Sequence, residues 1–429
     1  MSDIPASSNS TAPAMVVFTP SLAPRLDSES LVNTRLVKGL QKTGMEIEVF
    51  SRRCGATPKA RNAPPDQQGP RYHMPLPRLR SLLRALIGSE NAQAAKYIVE
   101  HAWGVRLAAA AARRVPARKC DIVLSFGGFC HIAALKYAGA SGIPIVANWN
   151  DPFPGFAAPP PYGGGPNTPL PWCYRRLLAR IGRAAAWHVF PSERLRGYML
   201  RFLPEAAATR SSVIPHIASP VPAQRGHAGG RAFSLTHAGG LLPYRRVDVF
   251  FEGLAAFLAS RSCSRDLRVV FIGPQGTELR EAARRYRADG VCQFLPEMEP
   301  EKCMRHLADS DGLLVIEAQM TESIFLPTKF VEYAQTRKPI LAVVPRHGTI
   351  ADLMHNYGGG VVADCHSPAE VAAGLETLCS SRQSVASGRC GRLDSLFTEE
   401  AVVAQYSAIF RRVSSKSQAI SRAVRSEVS

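Results

Sequence analysis

The sequence lacks the short signatures that place many enzymes at a glance. None of its 429 residues falls in a stretch that approaches the roughly 18–20 uninterrupted apolar residues of a spanning helix. The opening MSDIPASSNSTAP has neither the basic start nor the apolar middle of a secretory leader, so residues 1–13 are expected to be a disordered tail and the protein cytoplasmic. Cysteine is thinly scattered, at Cys54, Cys120, Cys130, Cys173, Cys263, Cys292, Cys303, Cys365, Cys379 and Cys390. There is no C-x-x-C and no Cys/His pair at zinc-ligand spacing, so the thiols are read as reduced and no metal framework is expected. No G-x-x-x-x-G-K-[ST] occurs and no G-x-G-x-x-G follows the first strand, which excludes an ordinary P-loop ATPase or dehydrogenase. Acidic residues are also scarce, with 34 Asp+Glu against 52 Lys+Arg, a net charge of +18.

What is present is material for a large core. About 46% of the chain is hydrophobic and 20% charged, which excludes a mainly disordered protein and suits two or three domains. The charge surplus calls for an anionic partner, and it is localised. Residues 52–119 carry 14 Lys+Arg against Asp66, Glu90 and Glu100, a net +11. From Arg175 to Arg201 seven Arg face Glu193 alone. Within 76–87, Leu79, Leu82, Leu83, Leu86 and Ile87 form one helical stripe, with Arg78, Arg80 and Arg84 largely outside it. That pattern suits a helix lying on an anionic bilayer, or a surface helix packed on its own domain. Aromatic stacking platforms are sparse among the Arg, so an acidic membrane surface is favoured and no nucleic acid is expected.

Short apolar runs alternate with helical patterns. In the first half, strands are expected at 14–18, 45–50, 121–126, 143–149, 186–190 and 211–215, with helices including 28–43, 91–114, 129–140 and 192–202. Residues 216–230 are rich in Pro, Gly and Ala and read as a linker. Alternation restarts with strands at 233–239, 267–273, 291–295, 312–317, 339–344 and 360–364. The fold class is therefore α/β, with two Rossmann-like domains facing an interdomain cleft. The first spans 14–215 and the second 231–397. A helix over 398–413 and a disordered tail over 414–429 complete the expected order.

HAGGLLPYRRVDVF places Gly239 and Gly240 after a strand and Arg245 and Arg246 at a helix start. LPTKFVEYAQTRKPILAV places Pro327, Thr328 and Lys329 at a helix start, with Glu332 one turn on. Glycine-flanked backbone, helix N-termini and full cationic charge together make a diphosphate site, and Glu332 can accept from ribose hydroxyls. Asp309-Ser-Asp311 spells D-x-D but precedes a buried strand, so a turn is expected there and no metal site.

These segments resemble the glycosyltransferase family 4-like (group 1) enzymes of GT-B fold. The similarity spans roughly residues 14–380. It is carried by LVKGLQKTGMEIEVFSR, DIVLSFGG…GIPIVANWNDPFPG, HVFPSERL…SVIPH, HAGGLLPYRRVDVF, LADSDGLLVIE and PTKFVEYAQTRKPILAV. The resemblance implies a hexosyltransferase. A nucleotide-diphosphate-sugar is the substrate, no cofactor or metal is required, and the product is a cell-surface polysaccharide or glycolipid. It assigns the diphosphate to Arg245, with Arg246 its competitor, and to Lys329. Ribose goes to Glu332, and the reacting sugar or acceptor to Asp151 in NWNDPF. The family's first Glu would fall at Ile324, and Glu322 is the nearest candidate to replace it. The Gly-Gly usual after the first strand is missing from FTPSLAPRLDSES, and His216 at the hinge is read as structural. The resemblance implies that the second domain, over 231–397, binds the donor and the first, over 14–215, the acceptor; with the basic stretches, a lipid-linked or glycan acceptor at the inner membrane face is the leading expectation. A nucleotide-sugar epimerase or phosphorylase, or a non-catalytic basic scaffold, are the competing readings.

Overall fold

A computed structural model of the chain describes residues 14–22, 27–52, 71–74, 92–139, 141–222, 232–241, 244–260, 267–274, 276–380 and 392–428. The amphipathic stretch 76–87 lies outside these residues.

AMVVFT cannot alternate an inside and an outside face, and its last five residues are buried. Such a strand belongs in the middle of a sheet covered on both sides. The first sheet consists of β1 (Ala14–Thr19), β2 (Glu46–Arg52), β3 (Arg71–Met74), β4 (Ile122–Phe126), β5 (Ile145–Asn148), β6 (Ala185–Phe190) and β7 (Ser211–Val213). All neighbours are parallel, in the order β3-β2-β1-β4-β5-β6-β7. Its helices are α1 (Ser28–Gln41), α2 (Ala92–Arg114), α3 (Gly128–Ala138), α4 (Trp172–Ala184) and α5 (Glu193–Leu200). Asp27 caps α1 by accepting from Ser30 N at 2.9 Å, and Ser192 caps α5 by accepting from Leu195 N at 3.1 Å. Gly104 lets α2 approach α3, since a Cβ there would lie 2.6 Å from Ile132 and 2.7 Å from the Phe129 carbonyl oxygen.

The second sheet repeats the plan with β8 (Phe233–Ala238), β9 (Leu267–Ile272), β10 (Cys292–Leu295), β11 (Gly312–Ile316), β13 (Ile340–Val344) and β15 (Gly360–Asp364). Its order is β10-β9-β8-β11-β13-β15, again parallel throughout. Around it lie α6 (Asp248–Ala259), α7 (Thr277–Arg285), α8 (Pro300–Asp309), α9 (Thr328–Gln335), α10 (Thr349–Tyr357) and α11 (Pro368–Ser380). A separate two-stranded pair, β12 (Glu322–Ser323) with β14 (His347–Gly348), was not legible in the pattern. Asp311 serves as the expected turn residue, accepting from Ser234 N and Oγ at 2.9 Å each.

Besides β3 and the β12/β14 pair, which were not expected, two features depart from the sequence expectation. The linker was placed from 216, but Ile217 is buried and Ala218 N–H donates to the Phe397 carbonyl at 2.9 Å, so its first residues belong to the packed body. The last helix, α12, spans Glu399–Val428 and so runs through the residues expected as a tail. It leaves the second domain and packs Val402, Val403, Tyr406, Ile409, Phe410 and Val413 against Met15, Val17, Leu36 and Val37 of the first. At about 1.5–3 kcal/mol per buried side chain, that face contributes on the order of 10 kcal/mol of gross apolar stabilisation. The two domains are thus tied at the hinge and again by this returning helix.

Candidate active site

In each sheet the strand order reverses beside the first strand of its domain, at β1/β4 and at β8/β11. Crevices open at such switch points, outside the carboxyl ends of the strands. Here they merge into one cleft of about 820 Å³ between the domains.

The second domain brings its cations to the floor of this cleft. His237, fully buried near the end of β8, offers Nδ1 to the Leu314 carbonyl at 2.9 Å. That bond fixes the proton on Nδ1 and leaves Nε2 as an acceptor, which takes a hydrogen bond from Lys329 Nζ at 3.2 Å. Burial, then Lys329, hold the His237 pKa well below its ordinary value, so the ring is neutral. Lys329 sits in the first turn of α9. Burial, then the neighbouring Arg245, push its pKa down to about 7. Arg245 is half-buried, and its Nε is enclosed without a hydrogen-bond partner among the described residues. Two cations side by side in low dielectric, one of them against a neutral imidazole, are unfavourable until an anion joins them.

Glycine makes the approach possible. Gly239 has φ +92°, and a Cβ on it would lie 3.5 Å from Lys329 Nζ. Its own N–H already donates to the Ile272 carbonyl at 2.8 Å, which corrects the expectation that this amide faces a ligand. Gly240 lines the cleft beside it.

The candidate acids divide. Glu332 lines the cleft and is held by partners from outside its own domain. It forms an ion pair with Arg35 of α1, and it accepts from Ser219 N at 3.0 Å and Ser219 Oγ at 3.3 Å. Arg35 in turn donates to the Ile217 carbonyl at 3.1 Å and to Ser219 Oγ at 2.6 Å, so one guanidinium clasps hinge and second domain together. Glu322 does not reach the cleft: it lies exposed on β12 and accepts from Arg194 Nη1 at 3.0 Å. The carboxylate inside is Glu317, directly after β11, which sequence reasoning missed. It is buried, accepts from Ser323 Oγ at 3.0 Å through Oε1, and leaves Oε2 without a partner. Burial raises its pKa to about 7. Arg246 likewise turns away, reaching Asp248 at 3.1 Å outside the cleft lining, and Arg245 takes the inward place.

On the facing wall, Asp151 opens into the cleft from the loop after β5, and the protein packed around it raises its pKa. A polar chain fixes that loop. Tyr406 of α12 donates to Asn148 Oδ1 at 2.9 Å, and Asn148 Nδ2 to Asn150 Oδ1 at 2.8 Å. Asn150 Nδ2 then donates to Asn33 Oδ1 at 2.8 Å. His216 is buried at the hinge and kept neutral by burial and Arg35, which lower its pKa to about 4. Tyr162 closes one side of the cleft, meeting Phe325 and Tyr244 of the other domain at ring-centroid distances of 5.1 and 5.6 Å.

Known proteins agree with this architecture. The profile of Glycosyltransferase Family 4 matches residues 31–219. A glycosyltransferase from Rickettsia africae superposes with a TM-score of 0.64 at 10% identity, covering 94% of this chain and 98% of that one. The trehalose 6-phosphate synthase of Burkholderia multivorans superposes at 0.62 with 13% identity, covering 96% and 98%. The E. coli trehalose-6-phosphate protein bound with UDP-2-fluoro glucose gives 0.61 at 14% identity, covering 92% and 99%. No curated protein matches the chain by sequence. The chain thus matches Glycosyltransferase Family 4 over residues 31–219 and shares the two-sheet GT-B fold of these structures.

Proposed function

We propose that the protein transfers a sugar from a nucleotide-diphosphate-sugar to a membrane-borne glycan or lipid-linked acceptor, with retention of configuration and without a metal. The observation that carries this reading is the half-buried pair Arg245 and Lys329, whose Arg245 Nε has no hydrogen-bond partner among the described residues and whose Lys329 is held down to a pKa of about 7 by burial and by Arg245. A diphosphate supplies the missing charge. Binding raises the Lys329 pKa again, because the anion favours the ammonium form.

In this reading Arg245 and Lys329 hold the diphosphate, next to Gly239 and Gly240, where no side chain intrudes. Glu332 takes ribose hydroxyls while Arg35 balances its charge. As the glycosidic bond breaks, charge grows on the leaving phosphate oxygen, and the two cations stabilise it in a site closed to water. That oxygen lies on the face where the acceptor attacks and takes the acceptor's proton, so no protein base is required between them. Asp151 orients the acceptor from the facing wall. Glu317, largely protonated below pH 7, donates to a donor-sugar oxygen in place of the acid sought at Glu322. Cell-surface polysaccharide or glycolipid synthesis is the setting that best fits the basic first domain.

The test is to incubate purified protein with candidate nucleotide-sugars, with and without a membrane extract, and to determine the anomeric configuration of the product. Acceptor-dependent product of unchanged configuration is expected. Conversion or cleavage of donor alone marks an epimerase or phosphorylase, and inverted product contradicts the retaining mechanism.

A further inference from the structure

Away from the cleft, α2, α3 and α4 enclose a second groove, of about 420 Å³, which shares no lining residue with the first. Its walls are apolar where Ile98, Ile132, Leu135 and Leu177 meet, and its rim carries Lys136, Arg176 and Arg180. At its mouth Trp172 stands 64% exposed, and Ile98 is 53% exposed. The other tryptophans, Trp103, Trp149 and Trp187, are buried. The Arg176 guanidinium lies 5.1 Å from the Trp172 ring centroid.

Charge around the groove is one-sided. The three helices carry nine Lys and Arg against Glu100 alone, and Glu100 lies 3.8 Å from Lys96. Along α4, Trp172, Arg175, Arg176, Arg180 and Arg183 share the outer face, while Tyr174, Leu177, Leu178 and Ile181 are buried. An apolar trough wants hydrocarbon and its rim wants anions; a free phosphate satisfies only the rim, and a neutral bilayer only the trough. Trp, apolar in body with one N–H, suits the layer between.

We propose that this groove seats one acyl chain of an anionic phospholipid, with the lipid phosphate on Lys136, Arg176 and Arg180 and Trp172 in the headgroup layer. The first domain then stands on an acidic bilayer through α2, α3 and α4. The inference deepens the reading of a membrane-borne acceptor and rests on it.

The test uses the full chain with vesicles of phosphatidylcholine alone and of phosphatidylcholine with phosphatidylglycerol, at low and high salt. Wild-type protein is expected to co-sediment only with the anionic vesicles at low salt. Its tryptophan emission shifts to the blue, a shift that Trp172→Phe abolishes because the remaining tryptophans are already buried. Neutralising two rim cations, in Arg176→Gln/Arg180→Gln, weakens partitioning roughly thirtyfold, at about fivefold per surface cation. The thermal shift given by a nucleotide-sugar stays at the wild-type value in this variant. Wild-type binding that the double variant retains, without a blue shift, overturns the groove while sparing the membrane reading. No binding to either vesicle overturns both. A dimer in solution that Trp172→Ala dissolves also overturns the proposal, by assigning the groove to a second copy.

Discussion

The two halves of the chain use cations in opposite ways. In the second domain Arg245 and Lys329 are drawn into the protein beside a neutral imidazole, where burial pushes the lysine pKa down to about 7. In the first domain Lys136, Arg175, Arg176, Arg180 and Arg183 stand in water. A surface cation costs little and gives a field that acts at a distance and weakens with salt. A buried unpaired cation costs stability and gives a local, shaped demand for an anion. On the proposed reading the net +18 serves two different partners, and most of the number concerns the less specific one.

The sharpest way to break this contrast is to remove a buried cation. Arg245→Ala or Lys329→Met should lower turnover by about 10²–10³, the scale of one donor to a developing oxyanion. Lys329→Met should leave the unliganded protein as stable as before or more so, since a desolvated charge is lost. Equal loss of turnover from Arg246→Ala would erase the distinction between the two arginines.

The pH dependence of stability separates the buried groups further. Glu317 has a folded pKa of about 7, above its ordinary value, so the folded state binds more protons and stability falls as pH rises towards 7. Lys329 has a folded pKa lowered to about 7, so above that the unfolded state binds more protons and stability rises with pH. Buried His131, His188, His216 and His237 have folded pKa values held below the ordinary 6.5 and add a rise in stability with pH below that point. In chemical denaturation of the ligand-free protein the limbs of Glu317 and Lys329, about a few kcal/mol each, are therefore read as differences between the wild-type and variant curves. Glu317→Gln should remove its acid limb and Lys329→Met its alkaline limb; limbs that survive both changes would refute the assignment.

On the first domain, effects should be structural. Gly104→Ala forces α2 from the Phe129 carbonyl and Ile132, and should cost about 1–3 kcal/mol in urea melts without changing nucleotide-sugar binding. Smallest of all, Arg246→Ala and Glu322→Gln should each change turnover less than about twofold, because both side chains pair outside the cleft at largely exposed sites.

Most strands were legible because continuous apolar runs such as GLLVI and ILAVV fit only a sheet covered on both faces. Lys329 was legible from its helix start, and so was Arg245, though not which of the two adjacent arginines turns inward. Glu322 was chosen by spacing along the chain. In the fold, the pairing of β12 with β14 leaves it outside, while Glu317 follows β11 directly at the carboxyl edge of the sheet. The usable signal was position after a buried strand, since strand ends face the cleft. His237 gave no signal, because its role depends on Leu314 and Lys329, which are remote in sequence. The Arg35–Glu332 clasp and the return of α12 were equally hidden, since amphipathic periodicity marks a buried face and not the surface that buries it.

The central claim is that Arg245 and Lys329 form a site for the donor diphosphate. It is tested most directly by thermal unfolding of wild-type, Arg245→Ala and Lys329→Met proteins with a panel of nucleoside diphosphates and their sugars. At a hundredfold excess over its dissociation constant, a ligand of the folded state stabilises by about 2.7 kcal/mol. The account predicts such a shift in the wild type for at least one base, and its loss in both variants. A wild type that no nucleoside diphosphate stabilises, or variants stabilised as strongly as the wild type, would contradict it.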